Sequence, residues 1–231
     1  MGQVALIVGA GGVLGAALGA EFSAAGYAVA GLRRPGANPP ANPTDGAAME
    51  LETCDLQDAS DVQAAADRVV RRHGAVDVLV HNAAHLTVAP FLSLTNADLE
   101  TAWRSGVACA AAGARAVLPA MLQQGRGAMI FTGATAALRG GARFAAFASA
   151  KFALRGFAQS LAREFQPHGI HVAHVVLDGL LAGSPSAKRF GTPDSPVIEP
   201  GDVARAYRLL AEQPRSTWTH EVDLRPSEEK F

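Results

Sequence analysis

Short β-rich apolar runs alternate with longer helical patterns along nearly the whole chain. Residues 4–10 (VALIVGA) are the first such run; it ends in glycine and is followed by the helical pattern LGAALGAEFSAAG. YAVAGL at 27–32 reads as a second strand, closed by the Pro/Gly-rich loop RRPGANPPANPTDG at 33–46. Residues 48–56 supply a third strand, and residues 58–74 a helix with an Asp-rich start and a glycine stop. VDVLVHNA at 76–83 is a fourth strand, and residues 95–125 read as one long helix capped by Thr95 or Asn96. RGAMIFTGA at 126–134 is a fifth strand, residues 144–165 a helix, and residues 169–179 a sixth strand. An irregular piece with prolines at 185, 193, 196 and 200 leads to a helix over 201–213 and a last strand near EVDLRP at 221–226.

Strands that alternate with helices argue for a parallel sheet covered on both faces. Right-handed crossovers then give an α/β, doubly wound, Rossmann-type sheet. No internal repeat, low-complexity segment or boundary interrupts the pattern, so residues 1–231 read as a single domain.

In VGAGGVLG, Gly9, Gly12 and Gly15 fall three apart between the first strand and the first helix. A dinucleotide pyrophosphate needs backbone N–H groups at a helix N-terminus with no side chains in the way. The plain alternative is a glycine-rich turn without a ligand, and its place in the first βα turn favours the nucleotide. Leu14 belongs to the same expected cofactor stretch. Arg33 and Arg34 end the second strand, where an acidic residue would bind a ribose 2′-OH; arginine instead suits a 2′-phosphate. The expectation is NADP, with NAD as the alternative and two solvated arginines as the plain reading.

Composition changes the picture little. Of 231 residues 49% are apolar, enough for a large core without disulfides or metals. The 20 basic residues nearly balance the 21 acidic ones, which points to no nucleic acid and no membrane surface as partner. Cys54 and Cys109 match no metal or redox spacing and are expected to be packing residues of a cytoplasmic protein. The apolar N-terminus lacks the basic region of a secretion signal, Leu6 breaks the myristoylation pattern, and no apolar run free of glycine and charge is long enough to span a membrane.

Several segments together resemble the short-chain dehydrogenase/reductase family, nearly end to end. CDLQD after the third strand is similar to that family's adenine-pocket segment, which implies Asp55 and Leu56 beside the base. HNAA at 81–84 is similar to its Asn-Asn-Ala-Gly strand end, with Asn82 and Ala83 retained. LPAML closes the long helix as in the family, and the helix over 144–165 carries Lys151. Val13 stands where the commonest branch has glycine; the GxxGxxG spacing resembles the longer-chain branches instead. The resemblance implies hydride transfer between nicotinamide and a carbonyl or alcohol carbon. It assigns proton transfer to a tyrosine, tuning of that tyrosine and ribose binding to a lysine, carbonyl polarisation to a serine, and a relay water to an asparagine.

Matched residue by residue, the tyrosine position is Phe147, the serine pair falls on Gly133 and Ala134, and the asparagine is Gly106. The Pro-Gly after the sixth strand reads Asp178-Gly179, with Gly179 still expected at the cofactor. Of the catalytic four only Lys151 remains, expected on the nicotinamide ribose unless it merely snorkels from a packed helix. A phenyl ring has no proton to give, and neither Tyr27 nor Tyr207 maps near the nicotinamide. The stand-ins are Lys151 with a pKa lowered by burial, the hydroxyls of Thr132 and Thr135, and His81 or His85. Thr135 and Lys151 are the catalytic candidates; strand-end caps and a hydrogen-bonded loop histidine are the plain alternatives. Arg139 and Arg143 could bind an anion at the mouth or be solvated. Asp178 could cap the next turn or meet the carboxamide, and His171 and His174 read as structural.

Residues 179–200 stand where relatives carry a lid, brief here and so mobile or open. Trp218, His220 and the small-residue helix faces suit subunit contacts in a homodimer or homotetramer. Three functions stay open. One is an NADP-dependent oxidoreductase of a small-molecule carbonyl or alcohol with a non-standard proton source. The others are an inert NAD(P)-binding sensor or assembly partner, and isomerisation or dehydration on the same scaffold.

Overall fold

The computed structural model describes residues 2–37 and 49–228; residues 38–46 of the predicted proline-rich loop, and Ala48 of the predicted third strand, lie outside them. Within the described residues the strands are β1 (Val4–Val8), β2 (Ala28–Arg33), β3 (Glu50–Thr53), β4 (Val78–His81), β5 (Gly127–Thr132) and β6 (Ile170–Leu177), then β7 (Leu180–Leu181), β8 (Val197–Ile198) and β9 (Glu221–Leu224). The helices are α1 (Val13–Ala24), α2 (Ala59–His73), α3 (Asn96–Trp103), α4 (Cys109–Gln124), α5 (Ala145–Phe165), α6 (Pro185–Phe190) and α7 (Pro200–Ala211). Seven strands pair in the order β3-β2-β1-β4-β5-β6-β9, all parallel. The doubly wound, Rossmann-type sheet expected from the alternation is the one observed.

Continuous apolar strands follow from burial on both faces. In β1, Val4, Leu6 and Val8 pack with Val62 and Val69 of α2, Val117 of α4 and Leu154 of α5. Ala5 and Ile7 point the other way, onto Leu14, Leu18 and Phe22 of α1 and Val203 and Tyr207 of α7. Helix ends follow local chemistry. Asp58 caps α2 by accepting from the N–H groups of Ser60 and Asp61, and Gly74 stops it in a positive-φ conformation.

The long helix predicted over 95–125 is interrupted. Thr95 caps α3 in a reciprocal box with Asp98, and a π-helical turn over Arg104–Ala108 separates α3 from α4. Gly106 is buried in that turn. By length and apolarity the run Asn96–Gln124 could cross a membrane, but 61% of its most apolar window is buried inside the fold, as in a core helix. Residues 180–198, predicted irregular, build a small clasp instead: β7 pairs in parallel with β8, and Ser184 caps α6 by accepting from Ala187 N–H.

The βα turn after β1 holds the tightest backbone approach near the site. Gly9 has φ +96°, and a Cβ there would lie 2.6 Å from the backbone nitrogen of Ala83. A Cβ on Gly15 would lie 2.6 Å from the backbone of Ala10. We expect Gly15→Ala to destabilise the protein by about 1–3 kcal/mol through overpacking, read as a lowered urea midpoint at unchanged slope.

Candidate active site

A groove of about 280 Å³ opens at the C-terminal ends of β1, β2 and β4. Its floor is the glycine turn. The N–H groups of Gly9 and Ala10 both donate to the Leu32 carbonyl at 2.9 Å, and Asn82 Nδ2 donates to the Gly9 carbonyl at 3.0 Å. Asn82 thereby ties the turn to the end of β4. Helix α1 begins at Gly12 without a side-chain cap, so the N–H groups of Val13, Leu14 and Gly15 have neither an i−4 carbonyl nor a cap. A Cβ on Gly12 would meet nothing within 4 Å.

Of the residues expected at a cofactor, Gly9, Gly12, Arg33, Arg34, Leu56, Asn82 and Ala83 line this groove together. Arg33 donates through Nη1 to the Ala37 carbonyl at 3.1 Å, while its buried Nε has no hydrogen-bond partner among the described residues. Leu14 is buried in the core, so only its backbone can serve a ligand, and Gly15 acts as a spacer against Ala10. The Asp55 carboxylate is engaged locally, accepting from Gln57 N–H at 2.9 Å. An uncapped helix start, open space over Gly12 and an unsatisfied guanidinium nitrogen fit the phosphates of a dinucleotide.

Asn82 and Ala84 are shared with a second cavity of about 580 Å³. Phe144 and Phe147 of α5, Phe190 of α6 and Leu180 and Leu181 of β7 make most of its wall, and Gly179 lines it too. The clasp closes over it: the Phe190 ring lies 5.9 Å from that of Phe144. Sequence reasoning missed Phe190, although it is the one aromatic residue in the irregular segment.

Lys151 lines this second cavity. It is 4% exposed, its Nζ donates to the Thr132 carbonyl at 2.6 Å and lies 5.6 Å from the Phe147 ring centre. It does not snorkel. Burial disfavours its charged form and lowers the pKa to about 8.

The other candidates are sorted by their partners. The Thr132 hydroxyl accepts from the fully buried Tyr207 at 3.0 Å, and burial pushes that phenol further up from its ordinary value. Tyr27 begins the opposite end of β2 and meets Phe22 edge-on. The Thr135 hydroxyl lines the cavity and donates to the buried Asp178 carboxylate, which also faces Arg225 at 3.3 Å and Arg139 at 3.8 Å. Thr135 is therefore free to accept from a ligand hydroxyl rather than to donate to a carbonyl. Asp178 is held by side chains of its own chain, not committed to a turn cap.

His81 is buried to 1%, and neither ring nitrogen makes a hydrogen bond of normal geometry, with the Gly106 and Ala83 backbone nearby. Burial, then the Lys151 charge, lowers its pKa to about 3. Burial thus favours the neutral ring, which weighs against His81 as the proton donor. His85 lines the groove instead. His174 bonds Glu221 at 2.9 Å, and Glu221 takes both nitrogens of Arg155 at 2.7 Å. The His174 ring also fills the space of a side chain on Gly133: a Cβ there would lie 2.4 Å from Nε2. Ala134 has extended backbone, and a Cβ on Gly106 would come no nearer than 3.6 Å, to Ala150.

Comparison with known proteins bears on the family and the fold. Residues 3–188 match the short chain dehydrogenase family. Over 179 residues the chain is 33% identical to D-threitol dehydrogenase of Mycolicibacterium smegmatis, across 74% of this chain and 67% of that protein. A solved short-chain dehydrogenase from Rhodopseudomonas palustris aligns with a TM-score of 0.79 at 32% identity, covering 97% of this chain and 98% of that one. A metagenomic short-chain oxidoreductase in complex with NADP aligns at 0.80 with 27% identity, over 98% of each chain. With the family match running through the glycine turn, the Lys151 helix and the start of the clasp, this chain belongs to the short-chain dehydrogenase family.

Proposed function

We propose that this protein is an NADP-dependent oxidoreductase acting on a small, largely apolar alcohol or carbonyl compound, with Lys151 as the group that carries the proton. The observation that carries the reading is the buried ammonium of Lys151 on the wall of the cavity that adjoins the groove through Asn82 and Ala84, beside a phenyl ring that has no hydroxyl. Support for the cofactor comes from the open glycine turn, from Arg33 and Arg34 on the groove, and from the NADP bound by the metagenomic relative. D-threitol dehydrogenase, by its name, oxidises a small polyol. On this reading Phe147, Ala134 and Gly106 hold the places of the family's tyrosine, serine and asparagine.

A bound nicotinamide supplies or takes the hydride. Asn82 fixes the glycine turn that would hold the pyrophosphate, and Arg33 with Arg34 would receive the 2′-phosphate. In reduction, the Lys151 ammonium gives its proton to the substrate oxygen and is left neutral; in oxidation the neutral amine takes the alcohol proton. Thr135, with its own proton on Asp178, can only accept, so it takes a hydroxyl of the substrate other than the reacting one, whose proton goes to Lys151. A pKa near the working pH suits an acid–base group that must run both ways.

Three outcomes are expected. Gly12→Ala lowers stability by no more than about 1 kcal/mol, the cost of a poorer N-cap, since its Cβ meets open space, yet weakens NADPH binding at least tenfold by fluorescence titration. Reduction rates stay level below pH 8 and fall above it as Lys151 loses its proton. Oxidation shows the opposite slope, and Lys151→Met lowers both by about 10²-fold or more. Phe147→Tyr combined with Ala134→Ser raises carbonyl reduction and removes the dependence on a group titrating near pH 8. Gly133→Ser in place of Ala134→Ser does not, because the His174 ring occupies its space. A wild type that binds NADPH but turns over nothing until Phe147→Tyr is introduced would identify an inert binding protein instead.

A further inference from the structure

Arg139 gives the cavity a charge that hydride transfer does not require. Lys151 and Arg139 are the only basic side chains among the described residues lining that cavity, and no Asp or Glu side chain lines it. Apart from the Asn82 amide, the rest of the wall is aromatic, aliphatic, glycine or hydroxyl. The Arg139 side chain is 55% exposed, and its one charged partner among the described residues is Asp178 at 3.8 Å, beyond hydrogen-bonding distance. Both Asp178 oxygens are engaged elsewhere, one by the Thr135 hydroxyl and the other facing Arg225 at 3.3 Å. The guanidinium fork is thus not used up inside the protein. Two glycines, Gly140 and Gly141, follow it and leave the wall beside it without side chains.

The rim adds to the same sign. Arg189 lies over the Phe190 ring at 5.1 Å, and Phe190 is the clasp residue that meets Phe144. A planar guanidinium at the edge of an apolar cavity matches a carboxylate in two-pronged geometry, and a partly desolvated site strengthens that match over bulk water.

We infer that the substrate is amphiphilic: an apolar, aromatic-sized alcohol or carbonyl compound whose far end carries a carboxylate bound by Arg139. The inference rests on the cavity being the substrate site, and it names the substrate class of that site. Arg139 is then a specificity residue, acting at the end of the molecule remote from the reacting carbon.

The test uses a pair that cannot react, so that it stands apart from turnover. Biphenyl-4-carboxylate and its neutral isostere biphenyl-4-carboxamide are titrated by calorimetry into the full chain, with and without saturating NADP⁺, at low and high salt. The expected result is at least a tenfold preference for the carboxylate at low salt that shrinks as salt rises. Arg139→Gln is expected to bind the two alike with carboxamide affinity within twofold of wild type, Arg139→Lys to keep part of the preference, and Arg139→Glu to reverse it. Equal binding of the pair by wild type, or a preference that survives Arg139→Gln, overturns the inference. Failure of NADP⁺ itself to bind removes the oxidoreductase reading instead, and the nucleotide-free arm separates the two.

Discussion

A buried ammonium group bonded to a single backbone carbonyl organises the site. Lys151 is anchored to Thr132 at the end of β5, and that bond docks the N-terminal part of α5 on the edge where the sheet opens. An isolated charge in such a place is costly. The protein meets the cost in part with the 2.6 Å bond and the Phe147 ring face, and in part by making the charge easy to lose. Burial that merely destabilised the fold would be a liability. Burial on the wall of an apolar cavity instead brings the pKa down toward neutrality, which is what the proposed acid–base role requires.

Around that bond the polar groups fall into separate, closed sets. Tyr207 reaches Thr132 from the opposite face of the sheet, and the His174–Glu221–Arg155 set ties β6 and β9 to α5. Thr135, Asp178, Arg139 and Arg225 hold the mouth. The His174 ring presses against Gly133, so glycine at that strand end follows from packing as much as from chemistry. These sets engage most of their members locally, with His174 Nε2 and Asp178 Oδ2 left without a hydrogen bond among the described residues, and leave for a ligand Lys151, the uncapped start of α1, Arg33 and Arg34, the oxygen of Thr135 and the fork of Arg139.

Much of the scaffold was legible because its signals are local. Apolar runs with period-2 packing, the Asp58 cap, the Gly74 stop and the glycine turn each sit within a few residues of what they determine. The unread parts depend on contacts far apart in sequence or on the backbone. The π-helical turn at Arg104–Ala108 breaks a pattern that is apolar and helical on both sides, with only Gly106 to mark it. The partner of Lys151 is a carbonyl, which every residue carries and no motif reveals. Asp178 meets Thr135 across 43 residues, and the clasp over 180–198 is held by two short strands too brief to show alternation. The neutrality of His81 likewise comes from depth, which a sequence does not display.

The most direct measurement is a titration of the lysine side chains by NMR, with the ε-carbon labelled. Lys151, Lys188 and Lys230 are the chain's lysines, so their signals can be told apart by comparison with Lys151→Met. The account requires the signal lost in that variant to titrate near pH 8. A Lys151 signal that titrates at the ordinary lysine value near 10.4 would contradict it, because the ammonium would then be solvated and too weak an acid for the role assigned to it.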